Sequence, residues 1–345
     1  MIQWVLPGGS AHGVESLTRR TVPIPEPGPS EVRIRVHATS LNYRDIVVAN
    51  RMYPVPAAPD LVPLSDGAGV IDAIGPDAGP WSVGDRVASV YFRNWEDGAP
   101  GPAMGFGLGS GSENGMLAEY VVLPADRIVP VPKSLSLTEA ATLPCAALTA
   151  WSAVHGRRPY RTRSLGPQDT VLVLGTSGVS LFALQLAKAA GAQVWATSGS
   201  DDKLQLLRRL GVTGTVNYRS TPHWGDEVFA QTGGAQLVVN AAGTGSLDQA
   251  VAAVAFGGDI AFMGLFDQAE SMPDLMTLMA KSATLRGVAV GSRAAFGDLV
   301  NAMDEYAIEP IIDQVVPFDD APEAYRLQVS GAQFGKVVIE TVAAT

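Results

Sequence analysis

Thr170-Val171-Leu172-Val173-Leu174-Gly175-Thr176-Ser177-Gly178-Val179-Ser180 is the stretch that decides the fold. Its first half is a short apolar, β-branched run that stops at Gly175, the pattern of a fully buried strand. A helical pattern then runs from Gly178 to Ala190, and Gln193-Val194-Trp195-Ala196-Thr197 reads as a second strand. Strand, glycine turn and helix in this order are the frame of a dinucleotide-binding G-x-G-x-x-G fingerprint. Gly175 fits that pattern, while Ser177 and Ser180 stand in place of the second and third glycines. Both substitutes are small, and Gly178 opens the helix, whose N-terminal amides and dipole suit a pyrophosphate. An ordinary glycine-containing turn of another α/β protein shares these features, so the flanking series has to decide.

That series continues. Asp201 to Leu210 is helical, Thr215-Val216-Asn217 is a brief strand, and Gln236 to Asn240 and Asp259 to Met263 are further strands, with a helix at Ser246 to Phe256. Strands alternating with helices predict βαβ units and a doubly wound parallel sheet. The flanks differ. Glu31 to Ala38 alternates strictly, and Val70 to Gly75, Asp85 to Tyr91 and Leu117 to Leu123 also read as strands between Pro- and Gly-rich turns. The C-terminal part adds a helix near Phe296 to Tyr306 and a strand at Lys336 to Glu340. The expectation is a β-rich domain of residues 1–130 and 290–345, interrupted by an α/β domain of residues 131–289.

Composition narrows the function. The chain has 345 residues, 34 Asp plus Glu against 24 Lys plus Arg, and a net charge of −10. With no basic run, this balance argues against nucleic acid or an anionic membrane as partner. Cys145 is the single cysteine, which excludes an internal disulfide and a four-thiolate zinc site. The N-terminal Met1-Ile2-Gln3-Trp4 lacks a basic region, and no apolar run approaches the ~18 residues of a membrane span, so a cytoplasmic protein is expected.

At the end of the second strand, Thr197-Ser198-Gly199-Ser200 carries no acid to bond a ribose 2′-hydroxyl. Lys203, and Tyr218 with Arg219 after the third strand, supply hydroxyl and cationic groups instead. They favour NADP(H) over NAD(H), although Asp201 and Asp202 also fit a plain solvated helix start.

Nearly the whole chain resembles the medium-chain dehydrogenase/reductase superfamily, and within it the zinc-independent quinone-oxidoreductase-like and zinc-free alcohol dehydrogenase-like members. The residues that carry the resemblance are Ser40-Leu41-Asn42-Tyr43-Arg44-Asp45, Arg51-Met52-Tyr53-Pro54, Val83-Gly84-Asp85-Arg86-Val87, Ala118-Glu119-Tyr120, Leu148-Thr149-Ala150-Trp151, the Gly175 loop and Phe334-Gly335-Lys336-Val337-Val338. It implies a Rossmann domain inserted into a GroES-like β-rich catalytic domain, with hydride passing between a nicotinamide and a carbonyl, quinone, activated alkene or alcohol. It also implies cofactor contacts at Thr149, Gly175, Thr176, Ser177, Gly178, Val179, Ser198, Ala242, Gly264, Leu265, Val288 and Val290, beside the Lys203 and Tyr218 already noted. Lys336 is expected either to reach a cofactor phosphate or to lie on the surface of the terminal strand. Relatives of this kind are commonly dimers or tetramers, so a homodimer is expected.

Zinc members of the superfamily use Cys, His and Cys as ligands, and those positions are similar in placement to Asn42, Ser65 and Cys145 here. An amide, a hydroxyl and one thiol do not make a zinc site, and His12, His37, His155 and His223 show no ligand spacing, so no metal is expected. Tyr53 is similar in position to the proton-donating tyrosine of enoyl-thioester reductases, and a neutral phenol can serve a developing enolate; a packing tyrosine is the alternative. Asn42 is a second candidate, as an amide donor to an oxyanion or as a turn residue. Asp45, three residues on, either orients Asn42 or pairs with Arg44 or Arg86 in the scaffold. Arg44 stands where zinc members carry a small hydroxyl residue; pointing outward is the expectation, and pointing inward would favour an anionic substrate. The leading reading is an NADP(H)-dependent quinone or enone reductase. The alternatives are a zinc-free alcohol dehydrogenase and a cofactor-binding protein without turnover. The Gly105 to Gly115 loop and the Met-rich segment from Phe266 to Met279 are expected to wall a pocket or a dimer contact.

Overall fold

Thr170–Leu174 is a strand, Gly178–Ala189 a helix and Gln193–Ser198 the next strand. The structure, a computed structural model, describes residues 1–8, 13–156, 164–266, 268, 269 and 272–341. His12 and residues 267, 270 and 271 of the Met-rich segment lie outside the described residues. Two compact units emerge: Thr149–Val290, and Met1–Leu148 together with Gly291–Thr345.

The first of these is a six-stranded parallel sheet in the order Gly214–Asn217, Gln193–Ser198, Thr170–Leu174, Ala235–Asn240, Val254–Phe262, Thr284–Gly287. That is the doubly wound order, with the first strand of the series at the centre. Every residue of Thr170–Leu174 is buried, which is why it reads as an unbroken apolar run rather than an alternation. One expectation is corrected: the helix near Ser246 ends at Ala253, and Val254-Ala255-Phe256 opens the next strand. β-Branched Val254 and the Gly257-Gly258 pair favour extension there. The buried Lys281 amine caps the helix end, donating to the carbonyls of Val251, Ala252 and Val254 at 3.0, 2.6 and 2.9 Å.

The other unit is built on the strand Glu31–Ser40. It pairs antiparallel with Asp66–Ile74, Tyr120–Pro124 and the C-terminal Lys336–Glu340, so the chain's last strand sits beside one of its earliest. Alternate side chains Val32, Ile34 and Val36 enter the core with Leu117, Tyr325 and Ile339. The unit extends to Leu148, beyond the expected limit of residue 130. The reason lies in residues 136–147, whose short helical turns bind back onto the sheet: Ser40 Oγ donates to Ala141 O at 2.9 Å and Cys145 N–H to the Asp66 carboxylate at 3.2 Å. Among the described residues no helix is long and apolar enough to cross a membrane.

Candidate functional site

In the parallel-sheet unit, the turn after the central strand has Gly175 in the left-handed region, at φ 80°. Ser177 is the N-cap of the helix Gly178–Ala189. Ser180, in the place of a third glycine, turns inward: its hydroxyl donates to Leu174 O at 2.8 Å and meets Ser177 Oγ at 3.1 Å. A serine therefore keeps helix and strand close without leaving a polar atom unmet. Thr176, Gly178 and Val179 complete the amide-rich start of the helix, where a phosphate is favoured.

The end of the second strand is held by its own hydroxyls. Ser198 Oγ accepts from Ser200 N–H at 3.2 Å, and Ser200 Oγ caps the next helix by accepting from Lys203 N–H at 3.4 Å. Asp201 is drawn aside to Asn217 Nδ2 at 2.7 Å. Over Gly199 lie two side chains: a Cβ built there would stand 2.7 Å from Tyr218 Oη and 2.8 Å from Arg219 Nε. Glycine is what allows that phenol and guanidinium to converge on the strand end.

Asn240, at the end of the fourth strand in sheet order, is a residue the sequence reading missed. Its Oδ1 accepts from Ala242 N–H, Gly243 N–H and Ser246 Oγ, each at 3.1 Å, and its Nδ2 donates to Gly243 O at 3.2 Å. Met263 and Gly264 N–H both donate to Asn240 O, which brings the two implied cofactor segments together. Leu265 follows, exposed. Val288 N–H bonds Phe262 O at 2.9 Å, and Val290 is buried with φ 48°, a strained conformation for a β-branched residue. Thr149 is buried at the start of the unit.

The β-rich unit holds a buried polar cluster. Asn42 caps the helix Tyr43–Ala49, and the Asp45 carboxylate accepts from Asn42 N–H at 2.8 Å and from Arg44 Nη1 at 3.0 Å. Asp45 thus pairs with Arg44 and not with Arg86, which donates to Leu135 O at 2.5 Å. Burial pushes the Asp45 carboxyl up, opposed by Arg44. Arg44 itself is 5% exposed and donates to Leu108 O at 2.8 Å, so the outward expectation is overturned. Its Cζ lies 4.9 Å from the Tyr53 ring centroid and 5.3 Å from that of Tyr91. Tyr53 is half-buried, its hydroxyl donating to Phe106 O at 3.0 Å and 3.4 Å from Tyr91 Oη. Part of the glycine-rich loop therefore frames Arg44.

Lys336 is corrected as well. It is 2% exposed, and its amine donates to Leu41 O at 2.6 Å and Asn42 Oδ1 at 2.7 Å, with Asp66 at 3.9 Å. The amine is spent within its own unit rather than on a phosphate or on solvent. With Asn42 Oδ1 taken by Lys336, the buried Nδ2 makes no close hydrogen bond but lies toward the Asp66 carboxylate, whose pKa it helps to hold down. Asp66 also accepts from Ser65 Oγ at 2.6 Å. The π-helical turn Leu143–Ala147 aims the Cys145 amide at the same carboxylate, and such turns recur at functional sites.

These residues do not suit a zinc ion. Cys145 is the one thiol, so at most one of the three positions could supply a thiolate. Ser65 and Asn42 are poor ligands, already hydrogen-bonded, and among the described residues no three His, Cys, Asp or Glu side chains converge.

Residues 28–133 match the alcohol dehydrogenase GroES-like domain, and residues 178–305 the zinc-binding dehydrogenase family. The chain is 39% identical over 335 residues to a zinc-type alcohol dehydrogenase-like protein of Schizosaccharomyces pombe, covering 95% of this chain and 96% of that protein. Among solved structures, it is similar to a putative alcohol dehydrogenase from Sinorhizobium meliloti 1021, with a TM-score of 0.90, 39% identity and coverage of 99% and 98% of the two chains. It is also similar to an NAD-dependent alcohol dehydrogenase, with a TM-score of 0.88, 34% identity and coverage of 99% and 100%.

Proposed function

The chain belongs to the medium-chain dehydrogenase/reductase superfamily and is an NAD(P)-dependent oxidoreductase; from that premise we propose that it works without zinc, prefers NADP(H), and reduces a quinone or an α,β-unsaturated carbonyl. The observation that carries the zinc-free reading is the Lys336 ammonium, 2.7 Å from Asn42 Oδ1 and 3.9 Å from Asp66. A buried cation already stands among the residues similar in placement to the metal ligands, and it disfavours a second one. The NADP preference rests on Tyr218 and Arg219 over Gly199, with Lys203 on the adjoining helix, and on Asp201 being tied to Asn217.

The bound nicotinamide supplies or accepts the hydride. The amides from Gly175 to Val179 hold the pyrophosphate, and the segments stapled by Asn240 support the nicotinamide half. In the β-rich unit, Asn42 Nδ2 and the Tyr53 phenol are the donors for a developing oxyanion, and Asp45 positions Asn42 through its backbone N–H. A zinc-free alcohol dehydrogenase, using the same groups in the opposite direction, is the second reading; the names of the relatives support its alcohol dehydrogenase part only, one of them being of zinc type. Self-association is part of the proposal: the strand Thr284–Gly287 has an open edge, and Leu285, with Met276 and Met279 on the preceding helix, is exposed, as a homodimer contact requires.

The test is a fluorescence titration of NADPH and NADH on the wild type and Lys203→Ala, followed by assays on quinones, enones and alcohols after exhaustive chelation. Lys203→Ala should weaken NADPH by roughly tenfold and spare NADH. Equal losses for both cofactors would refute the 2′-phosphate assignment, metal-dependent turnover would refute the zinc-free one, and tight nicotinamide binding with no turnover would leave a binding protein.

A further inference from the structure

Arg44 carries donors that its surroundings do not use. Its Nη1 is committed to Asp45 and Leu108 O, but the buried Nε and Nη2 have no hydrogen-bond partner. Those two nitrogens share one edge of the guanidinium plane and project parallel N–H bonds, the geometry that grips the two oxygens of a carboxylate. The rings of Tyr53 and Tyr91 attract the charge without providing an acceptor atom. An unmet charged edge in the interior is costly, so its persistence calls for a ligand. Its cover is slight. Tyr53 is the most exposed of the three side chains and lies between Ala49 and Asp66, outside any helix or strand. The hydroxyls of Tyr53 and Tyr91 stand next to one another at 3.4 Å, with that of Tyr53 held by Phe106 O.

We infer that the Nε–Nη2 edge of Arg44 is a carboxylate-binding subsite, uncovered when Tyr53 swings aside, and that it selects substrates bearing a carboxylate. The inference rests on the reductase reading for the word substrate, but the subsite itself can be tested without turnover.

Two probe pairs separate the claims. Calorimetric titration of the full chain with NADPH present compares benzoate with benzamide, which has a similar shape but no charge. Initial rates compare monomethyl fumarate, an activated alkene with a free carboxylate, with the neutral dimethyl ester. Benzoate should bind in preference to benzamide, and the monoester should have the higher kcat/KM. Arg44→Lys keeps the charge but loses the two-point edge. It should weaken benzoate and raise KM for the monoester by roughly 10- to 100-fold, with KM for the diester and NADPH affinity changed far less. Benzoate binding that depends on Arg44, with neither ester reduced, keeps the subsite and overturns the reductase reading. Reduction of both esters with equal kcat/KM, with benzoate and benzamide indistinguishable, keeps the reductase and overturns the subsite. That last comparison needs only the wild type, so it stands even if Arg44→Lys fails to fold.

Discussion

Replacing Lys336 with methionine tests whether the buried cluster is one electrostatic unit. The substitution keeps the length of the side chain and removes its charge. Asp66, 0% exposed, then loses a cation 3.9 Å away, while Leu41 O and Asn42 Oδ1 lose their donor. At an effective dielectric of ~20, a pair at that separation is worth about 4 kcal/mol, and the lost hydrogen bonds add to this; the relief from no longer desolvating an ammonium subtracts. Removing one partner of a buried pair costs about 3–5 kcal/mol in practice, and that is the expected loss. Asp66 retains Ser65 Oγ and the Cys145 amide, so the double variant Lys336→Met/Asp66→Asn should recover about 2 kcal/mol or more by deleting the orphaned charge. The pH dependence has a definite sign. Burial raises the Asp66 carboxyl, and Lys336 opposes that rise. Without Lys336 the folded-state pKa climbs further above its unfolded value, so the folded state takes up a proton more readily than the unfolded chain. The stability of Lys336→Met should therefore improve relative to wild type as pH falls from neutral towards the ordinary aspartate range. Urea unfolding of the four proteins of the cycle, followed by circular dichroism with hydrogen exchange on the Leu41–Asp45 and Lys336–Glu340 peptides, measures both effects. If the two substitutions add to within about 0.5 kcal/mol, Lys336 and Asp66 are energetically independent and the unit does not exist.

Asn240→Ala should leave the amides of Ala242 and Gly243 and the Ser246 hydroxyl without their shared acceptor, costing about 2–4 kcal/mol in the parallel-sheet unit. NADPH affinity should drop with it, and a titration showing unchanged affinity would remove this loop from the cofactor site. Tyr53→Phe keeps the ring beside Arg44 and should lower kcat by ~10²-fold if the phenol delivers a proton; an unchanged kcat makes Tyr53 a cover only.

The parallel-sheet unit was open to sequence reading because its signals are local. A strand buried on both faces is an apolar run, and the helices show their own period. Where local signals compete, the reading slipped, as at Val254–Phe256, where a tertiary contact from Lys281 fixes the end of the helix. The boundary at Leu148 was hidden for the same reason: only the contacts of Ala141 and Cys145 with the sheet assign that stretch to the β-rich unit. The spacing of Asn42 and Asp45 was legible, since an N-cap and the third residue of its helix must meet. Lys336 and Arg44 were not. Lys336 finds Leu41 from 295 residues away and Arg44 finds Leu108 from 64, and no local rule specifies such partners. One clue was present: Lys336 leads into Val337-Val338-Ile339, and a cation at the head of such an apolar run must have an acceptor waiting.

The cluster has a bias that a plain scaffold would lack. Its carboxylates are met: Asp45 by Arg44 and the Asn42 amide, Asp66 by Ser65 and Cys145. The buried atoms left over are Arg44 Nε and Nη2 and the Tyr325 hydroxyl, whose carboxylate neighbour Asp45 is already paired; Asn42 Nδ2 is turned toward Asp66. All of these can donate. A structural network under selection for stability alone closes its donors on its acceptors, because each unmet buried group costs as much as a lost hydrogen bond. A surplus of donors, held rigid by the helix start at Asn42 and by the terminal strand at Lys336, is instead complementary to something rich in oxygen and gaining negative charge. Hydride arriving at a conjugated carbonyl produces such a group, and a substrate carboxylate brings one with it.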